Sequence, residues 1–534
     1  MTEGSRRSIW AWGLESDEPS QEDRVGFAKS LSEEWGRDLP VPEAVPLSAV
    51  ELRPPRIEPS EALAPFCAAD AYERAFHTYG ASFPERLRAF RGEFSHPPDF
   101  VAHPRSEDEL EQVMAFCADR SCRAVPWGGG SSVVYGVCVP EDDAPCVTID
   151  LDGFDQVLEL DETSRAARIQ AGVFGPALED QLRPSGHTLR HFPQSFEWST
   201  LGGWIATRSG GHYATNHTHI DDFVESVRML TPSGWWESRR LPGSGAGPSP
   251  DRLAIGSEGI LGVITEAWMR IQRRPRFRAT ASLRFDQWEA GAEAARHIAQ
   301  AKLWPANLRL LDPREAKNAG LDGSQALLIL GFESAELPQQ HNITEAVAIA
   351  RECGGQIGDE EIRVSDSSEK TTGREGAAGA WRNAFIGVGK GLNLITGLGL
   401  IADTFETSIT WDRWPEFDRE VRATVEKALA EVAGGGALSC RFTHVYPDGP
   451  APYYTFSTRG RPGAELEQWT EIKAAATDAV IRAGGTSTHH HSVGRMHRDG
   501  YDRQRPELFA RALRAAKREL DPTAMLNPGV LIDP

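Results

Sequence analysis

None of the seven cysteines (67, 117, 122, 138, 146, 353, 440) stands in a CxxC pair, and their spacing offers no even disulfide framework. This argues against a cystine-stapled fold and against a cysteine-built structural zinc site, leaving reduced, buried thiols as the expectation. No apolar core follows the two arginines of MTEGSRRSIWAWGLESDEPS, so no signal peptide is read there. The ending VLIDP carries no peroxisomal address. Long hydrophobic runs are missing too. The longest, Gly391 to Ala402 (GLNLITGLGLIA), is too short to span a bilayer. Positive charge is in deficit, with a formal net charge of −20, and such a field repels nucleic acid and anionic membranes. A local basic pocket for a small phosphorylated substrate remains compatible with it. The cytoplasm is the expected location.

What is present points to a multidomain globular protein. A chain of 534 residues exceeds one hydrophobic core, so two or three domains are expected. Residues 1–93 are rich in Pro, Trp and acids, with one helical stretch near 70–92. From 94 to 275 short β-type runs alternate with helices. DFVAHPRS reads as a strand and turn, EDELEQVMAFCADRS as a helix with acids in its first turn, and CRAVPWGGGSS as a strand entering a glycine loop. Residues 276–460 open with a β-α-β pattern, FRATASLRF, WEAGAEAARHIAQA and ANLRLLD, which predicts a split βαβ cap. The polar stretch 358–380 reads as a mobile loop. Residues 461–534 return to helices.

Three loops carry the chemistry. The first is Pro126, Trp127, Gly128, Gly129, Gly130, Ser131 and Ser132. Consecutive glycines after a strand let backbone N–H groups approach a pyrophosphate, and the serines add donors. The pattern is neither GxGxxG nor GxxxxGK[ST], so a Rossmann fingerprint and a P-loop are both excluded. The second spans Gln194, Ser195, Phe196, Glu197, Trp198, Ser199 and Thr200, followed by Thr207, Arg208, Ser209 and Gly210. The third is Gly256, Ser257, Glu258, Gly259, Ile260, Leu261 and Gly262. Any one of them alone is a plain turn between strands. Three in order within one α+β segment are not.

The trio PWGGGSSVVYG, SFEWSTLGGWIATRSGG and IGSEGILGVITEA resembles the FAD-binding domain of the vanillyl-alcohol oxidase and p-cresol methylhydroxylase flavoproteins. Within that superfamily the chain is similar to the alkyldihydroxyacetonephosphate synthases, from WAWG to LDPTAMLNPG. The resemblance implies an α+β fold: a two-subdomain FAD-binding domain (94–275), an α+β cap holding the substrate (276–460), and a helical segment (461–534) returning to the FAD domain. FAD is the implied cofactor, bound non-covalently through the three loops, although His212 stands close after the Arg208 loop. No metal is expected. The implied partner is a small lipid-like substrate, with peripheral membrane contact and a homodimer as further expectations.

The same resemblance assigns roles in the second half. His489, His490 and His491 match the synthase's histidine triplet beside the flavin, Tyr453 its proton-transfer tyrosine, and Arg309 its substrate arginine. Tyr454 is read as the packed member of an aromatic pair. Arg413, in FETSITWDR, is read as structural. The related hydroxy-acid dehydrogenases resemble this region with a metal-binding HxxGDGNxH, whereas this chain has HVYPDGPAPYY from His444. The family's Arg-Asp pair is replaced by Lys390-Gly391-Leu392-Asn393, and Lys390 as a point charge lacks the bidentate geometry of arginine. The implied activity exchanges the acyl group of acyl-dihydroxyacetone phosphate for a fatty alcohol, with flavin N5 holding the dihydroxyacetone carbon. The alternative is an FAD-linked oxidase or dehydrogenase of an alcohol or hydroxy acid. The apolar segment 391–405 fits an acyl tunnel, a membrane contact or a buried core helix.

Overall fold

A computed structural model describes residues 6–36, 38–217, 219–366, 379, 389 and 391–533. Among these residues three main sheets organise the chain. The first carries Cys67–Ala68, Phe100–Ala102, Cys146–Asp150 and Arg123–Trp127 in that spatial order, the last three parallel. Parallel strands are covered on both faces, and Cys146–Asp150 accordingly has every residue buried. The helix Glu107–Asp119 lies in the connection from Phe100–Ala102 to Arg123–Trp127. Ser106 caps its first turn by accepting from the Glu109 amide, and Leu110, Val113, Met114 and Cys117 form its buried stripe.

The second sheet is antiparallel, in the order Val157–Asp161, Ala166–Gln170, Val263–Arg270, Val224–Thr231 and Gly234–Glu237. The helices Gly175–Leu182 and Leu201–Thr207 pack Leu178, Leu201, Trp204 and Ile205 into its core. The third sheet has seven antiparallel strands, with Ala326–Ser334 between Phe277–Phe285 and Asn307–Leu311, followed by Ala437–Val445, Pro450–Arg459 and Leu400–Glu406. That interposed strand makes the expected split βαβ. The helices Trp288–Gln300, Gln340–Glu352, Trp414–Ala433 and Glu465–Arg482 supply the largest apolar cluster against this sheet. The chain then returns to the first sheet: the Ala124 amide donates to the Met525 carbonyl, and Lys517 Nζ donates to the Ile260 carbonyl.

Some expectations change. The single helix near 70–92 is two, Ala71–Phe76 and Phe83–Phe90. Ser82 and Glu85 form a capping box that starts the second one afresh, with Pro84 in its first turn. Gly391 to Ala402 is not a buried core helix. It is helical only over 391–395, turns through Gly397 and Gly399 at φ +80° and +75°, and becomes the strand Leu400–Glu406. In the stretch read as a mobile loop, Arg363–Ser365 is a strand paired with Phe277–Phe285. The rest of that loop from 367, apart from 379, lies outside the described residues. The cysteines are all free, but Cys67, Cys138 and Cys353 are only half-buried. Among the described residues no helix is long and apolar enough to cross a membrane.

Candidate active site

The first two glycine-rich loops meet with no room for a side chain between them. A Cβ on Gly129 would lie 2.0 Å from the Trp198 carbonyl oxygen, and one on Gly128 would lie 2.3 Å from Thr200 Oγ1. Gly130 adopts φ +68°, where its Cβ would strike the Trp127 ring. The third loop closes on both: a Cβ at Gly259 (φ +74°) would meet Pro126, and one at Gly256 (φ +79°) would meet Arg208. Such a backbone-lined cradle is what a pyrophosphate requires. Ser257 Oγ adds a buried hydroxyl without a hydrogen-bond partner. The residues present therefore fit FAD, with Gly128 to Ser132, Ser199, Thr200 and Ser257 as those that would hold it. The Arg208 side chain pairs with Asp221 at 2.8 Å and is largely exposed.

The histidine triplet is built from the other half of the chain and pressed onto this cradle. A Cβ on Gly210 would lie 3.0 Å from the His444 ring and 3.4 Å from His490 Cβ. Glu406, buried at the end of Leu400–Glu406, holds the triplet's backbone. Its carboxylate accepts from the amides of His489, His490 and His491 and, at 2.6 Å, from Thr488 Oγ1. Burial alone would raise Glu406, but His491, His489 and Thr488 outweigh it and hold the carboxyl below its ordinary value. Glu258 of the third loop accepts from the Val493 and Gly494 amides at 2.8 and 2.7 Å, pinning the other end of the histidine segment.

Around the triplet the structure assembles a polar cluster. Tyr453 is buried, its ring 5.9 Å from that of His490 and 5.5 Å from that of His491, with the Arg441 guanidinium 4.0 Å above it. Burial raises the Tyr453 phenol. Tyr454, one residue on, faces the opposite side of the strand, where it donates to Asp418 at 2.7 Å and packs in the core. Arg309 is fully buried and donates to Asn307 Oδ1 at 3.0 Å and to the His212 carbonyl at 3.2 Å. Burial, then the neighbouring charge of Arg441, push it down to about 9. The His212 ring is engaged by the same arginine at 3.2 Å. Arg413 donates to the Ala483 carbonyl at 2.7 Å at the start of Trp414–Ala433. Lys390 lies outside the described residues.

Sequence reasoning missed four members of this cluster: Glu406, Arg441, Tyr446 and His219. The Tyr446 hydroxyl sits 2.9 Å from His219 Nε2 and 3.2 Å from His489 Nε2. His489 Nδ1 is in turn 3.1 Å from His490 Nδ1. Burial, reinforced by neighbouring imidazoles, drives His444, His489 and His490 well below their ordinary value, so all three are neutral near pH 7. The fold brings a further histidine, His444, to the triplet. Donor atoms of His444, His489 and His490 lie within 4.8 Å of one another, close enough to hold an ion, where none was expected.

Comparison with known proteins agrees with this geometry. The model of the FAD binding domain matches residues 98–238, and that of the C-terminal domain of FAD linked oxidases matches residues 274–531. The chain is 29% identical to alkyldihydroxyacetonephosphate synthase of Caenorhabditis elegans, over 87% of this chain and 81% of that protein. A solved structure of an alkyldihydroxyacetonephosphate synthase superposes with a TM-score of 0.78 at 23% identity, covering 98% of both chains. The crystal structure of p-cresol methylhydroxylase with substrate bound superposes at 0.67 and 15% identity, covering 88% of this chain and 94% of that one. With a glycine cradle fit for a pyrophosphate, a histidine cluster against it and both halves matched to domains of FAD-linked proteins, the chain is an FAD-dependent enzyme.

Proposed function

We propose that this enzyme exchanges the acyl chain of an acyl-dihydroxyacetone phosphate for a fatty alcohol, releasing a fatty acid; its similarity to alkyldihydroxyacetonephosphate synthases supports this reading. The observation that carries this reading is the Glu406 clamp, which holds three consecutive neutral histidines against Tyr453 and the cofactor loops. Bound FAD supplies an electrophilic N5 centre. The chain supplies the rest. His490 or His491, kept neutral by burial, takes the proton α to the substrate carbonyl. Tyr453, kept protonated by burial, passes a proton on, and Arg309 orients the phosphate or carbonyl. The match to the C-terminal domain of FAD linked oxidases supports a second reading, hydride transfer from an alcohol or hydroxy acid.

Anaerobic spectroscopy separates the two. Palmitoyl-dihydroxyacetone phosphate is expected to diminish the oxidised-flavin absorbance and release palmitate, and hexadecanol to restore the absorbance. Bleaching by an alcohol or hydroxy acid alone, with no response to the acyl substrate, would transfer the assignment to the oxidase reading.

A further inference from the structure

A hairpin near the start of the described residues brings a cation to the cofactor cradle. Residues 7–14 form a tight hairpin, with Arg7 bridged to Leu14 and the Ser8 amide donating to the Gly13 carbonyl at 3.1 Å. The hairpin is anchored at several points. Trp10 is buried against Phe90, and the Trp12 amide donates to Asn393 Oδ1 at 2.7 Å. The Tyr72 hydroxyl donates to the Arg7 carbonyl at 3.0 Å. This anchoring delivers the Arg7 guanidinium to the junction of the first two cofactor loops. It stacks 4.4 Å from the Trp198 ring centroid, and both terminal nitrogens reach only the Gly129 carbonyl, at 3.4 Å.

The charge balance at this point is unusual. Among the described residues no carboxylate lies within ion-pair distance of Arg7, and its Nε is buried without a hydrogen-bond partner. Asp150, the carboxylate whose charge reaches Arg7, is already engaged by His77 Nε2 at 3.0 Å. Burial pushes the guanidinium down to about 10. Arg7 is half-buried with its Nε shielded from water, and a cation desolvated without a counter-ion favours an anion beside it. Arginine is also the side chain best shaped to fork onto phosphate oxygens. Gly129, whose carbonyl it reaches, belongs to the loop that leaves no room for a side chain.

We propose that Arg7 is a ligand to the FAD pyrophosphate and that the hairpin 7–14 is part of the cofactor site. The hairpin adds a positive charge to the cradle beside the Gly129 carbonyl. The inference rests on FAD occupying the cradle and is independent of which reaction follows.

The test uses the full-length chain stripped of flavin and titrated with FAD, ADP and riboflavin, with Arg7→Met keeping the stem that packs on Trp198. Arg7→Met is expected to weaken FAD and ADP binding about 10-fold or more, the scale of a lost charge-assisted hydrogen bond, and to leave riboflavin unchanged. Arg7→Lys, which retains charge without the fork, should lose less. Wild-type affinity for FAD and ADP in Arg7→Met would overturn the proposal. So would an equal loss of riboflavin affinity, which would mean that the hairpin only supports the fold. If Arg7→Met proves insoluble, Arg7→Lys carries the same comparison. A drop for FAD and ADP alone supports the ligand, and unchanged binding of both rejects it.

Discussion

Tyr446 occupies a position that its neighbours make chemically specific. Its hydroxyl lies between two neutral imidazoles, and His219 continues the contact to the Arg208 carbonyl at 3.0 Å. Burial raises the phenol, so it stays protonated and can accept a proton only by releasing one. These groups form a connected chain from His490 through His489 and Tyr446 to His219. Tyr446→Phe keeps the ring packing and removes only the hydroxyl. It is expected to lower kcat about 100-fold or more with FAD content unchanged, the lower end of the range for a group in general acid–base transfer. Steady-state kinetics beside the flavin-to-protein absorbance ratio check it. An unchanged kcat would reduce the hydroxyl to a spacer between rings. Tyr446 stands in HVYPDG, a stretch already marked by His444, yet nothing in its spacing shows that it meets His489.

Among elements, the contact between the glycine loop and the short turn Phe196–Trp198 decides whether the cradle exists. Both sides are backbone, so neither can yield as a flexible side chain would. Gly129→Ala would bring a methyl group to 2.0 Å from the Trp198 carbonyl oxygen and 2.7 Å from its carbon. The loops must then part, at a cost of roughly 1–3 kcal/mol for overpacking. The variant is expected to purify with little flavin and a lowered melting temperature. Full flavin occupancy would show that the loop tolerates separation. The glycine loops were legible in the sequence because close backbone approach demands glycine locally. The clamp was not. Glu406 lies in FETS, 83 positions from His489, and only the pairing of Leu400–Glu406 with Pro450–Arg459 brings it beneath the triplet.

Across the whole molecule, buried histidines set the dependence of stability on pH. His191 and His497 are pushed down to about 3 by burial, and His219, His444, His489, His490 and His491 are lowered as well. Their folded-state values lie below the ordinary value of about 6.5. Their contribution is therefore complete above that value and is lost as pH falls below it, because the unfolded chain takes up protons that the folded one refuses. Each such histidine costs on the order of 1.4 kcal/mol per pH unit while it titrates in the unfolded chain alone. His103 has the opposite sign. Burial would lower it, but Asp152 and Glu73 lift it to about 10, so its contribution is present below about 6.5 and fades as pH rises through the folded value. The melting temperature is expected to fall between about pH 6.5 and 5, opposed in part by Glu258, whose carboxyl burial lifts to about 7. A flat profile across that interval would mean that the cluster is hydrated and charged in the native state.

The sequence by itself determined what local chemistry dictates. Glycine runs marked the cofactor loops, acids in a first turn marked the helix of the first sheet, and alternating β and α patterns marked the split βαβ. It also nominated Tyr453, Arg309 and the histidine triplet through resemblance, and the structure brings Tyr453 and the triplet together. The tertiary structure decided the rest, because it depends on contacts between distant positions. Only packing turns Tyr453 toward His490 and Tyr454 toward Asp418, sets Arg441 above one and Glu406 beneath the other, and lays a hairpin at residues 7–14 across a loop at 129. Burial, which fixes the charge state of every imidazole in the cluster, is likewise a property of the assembled core and of no segment alone.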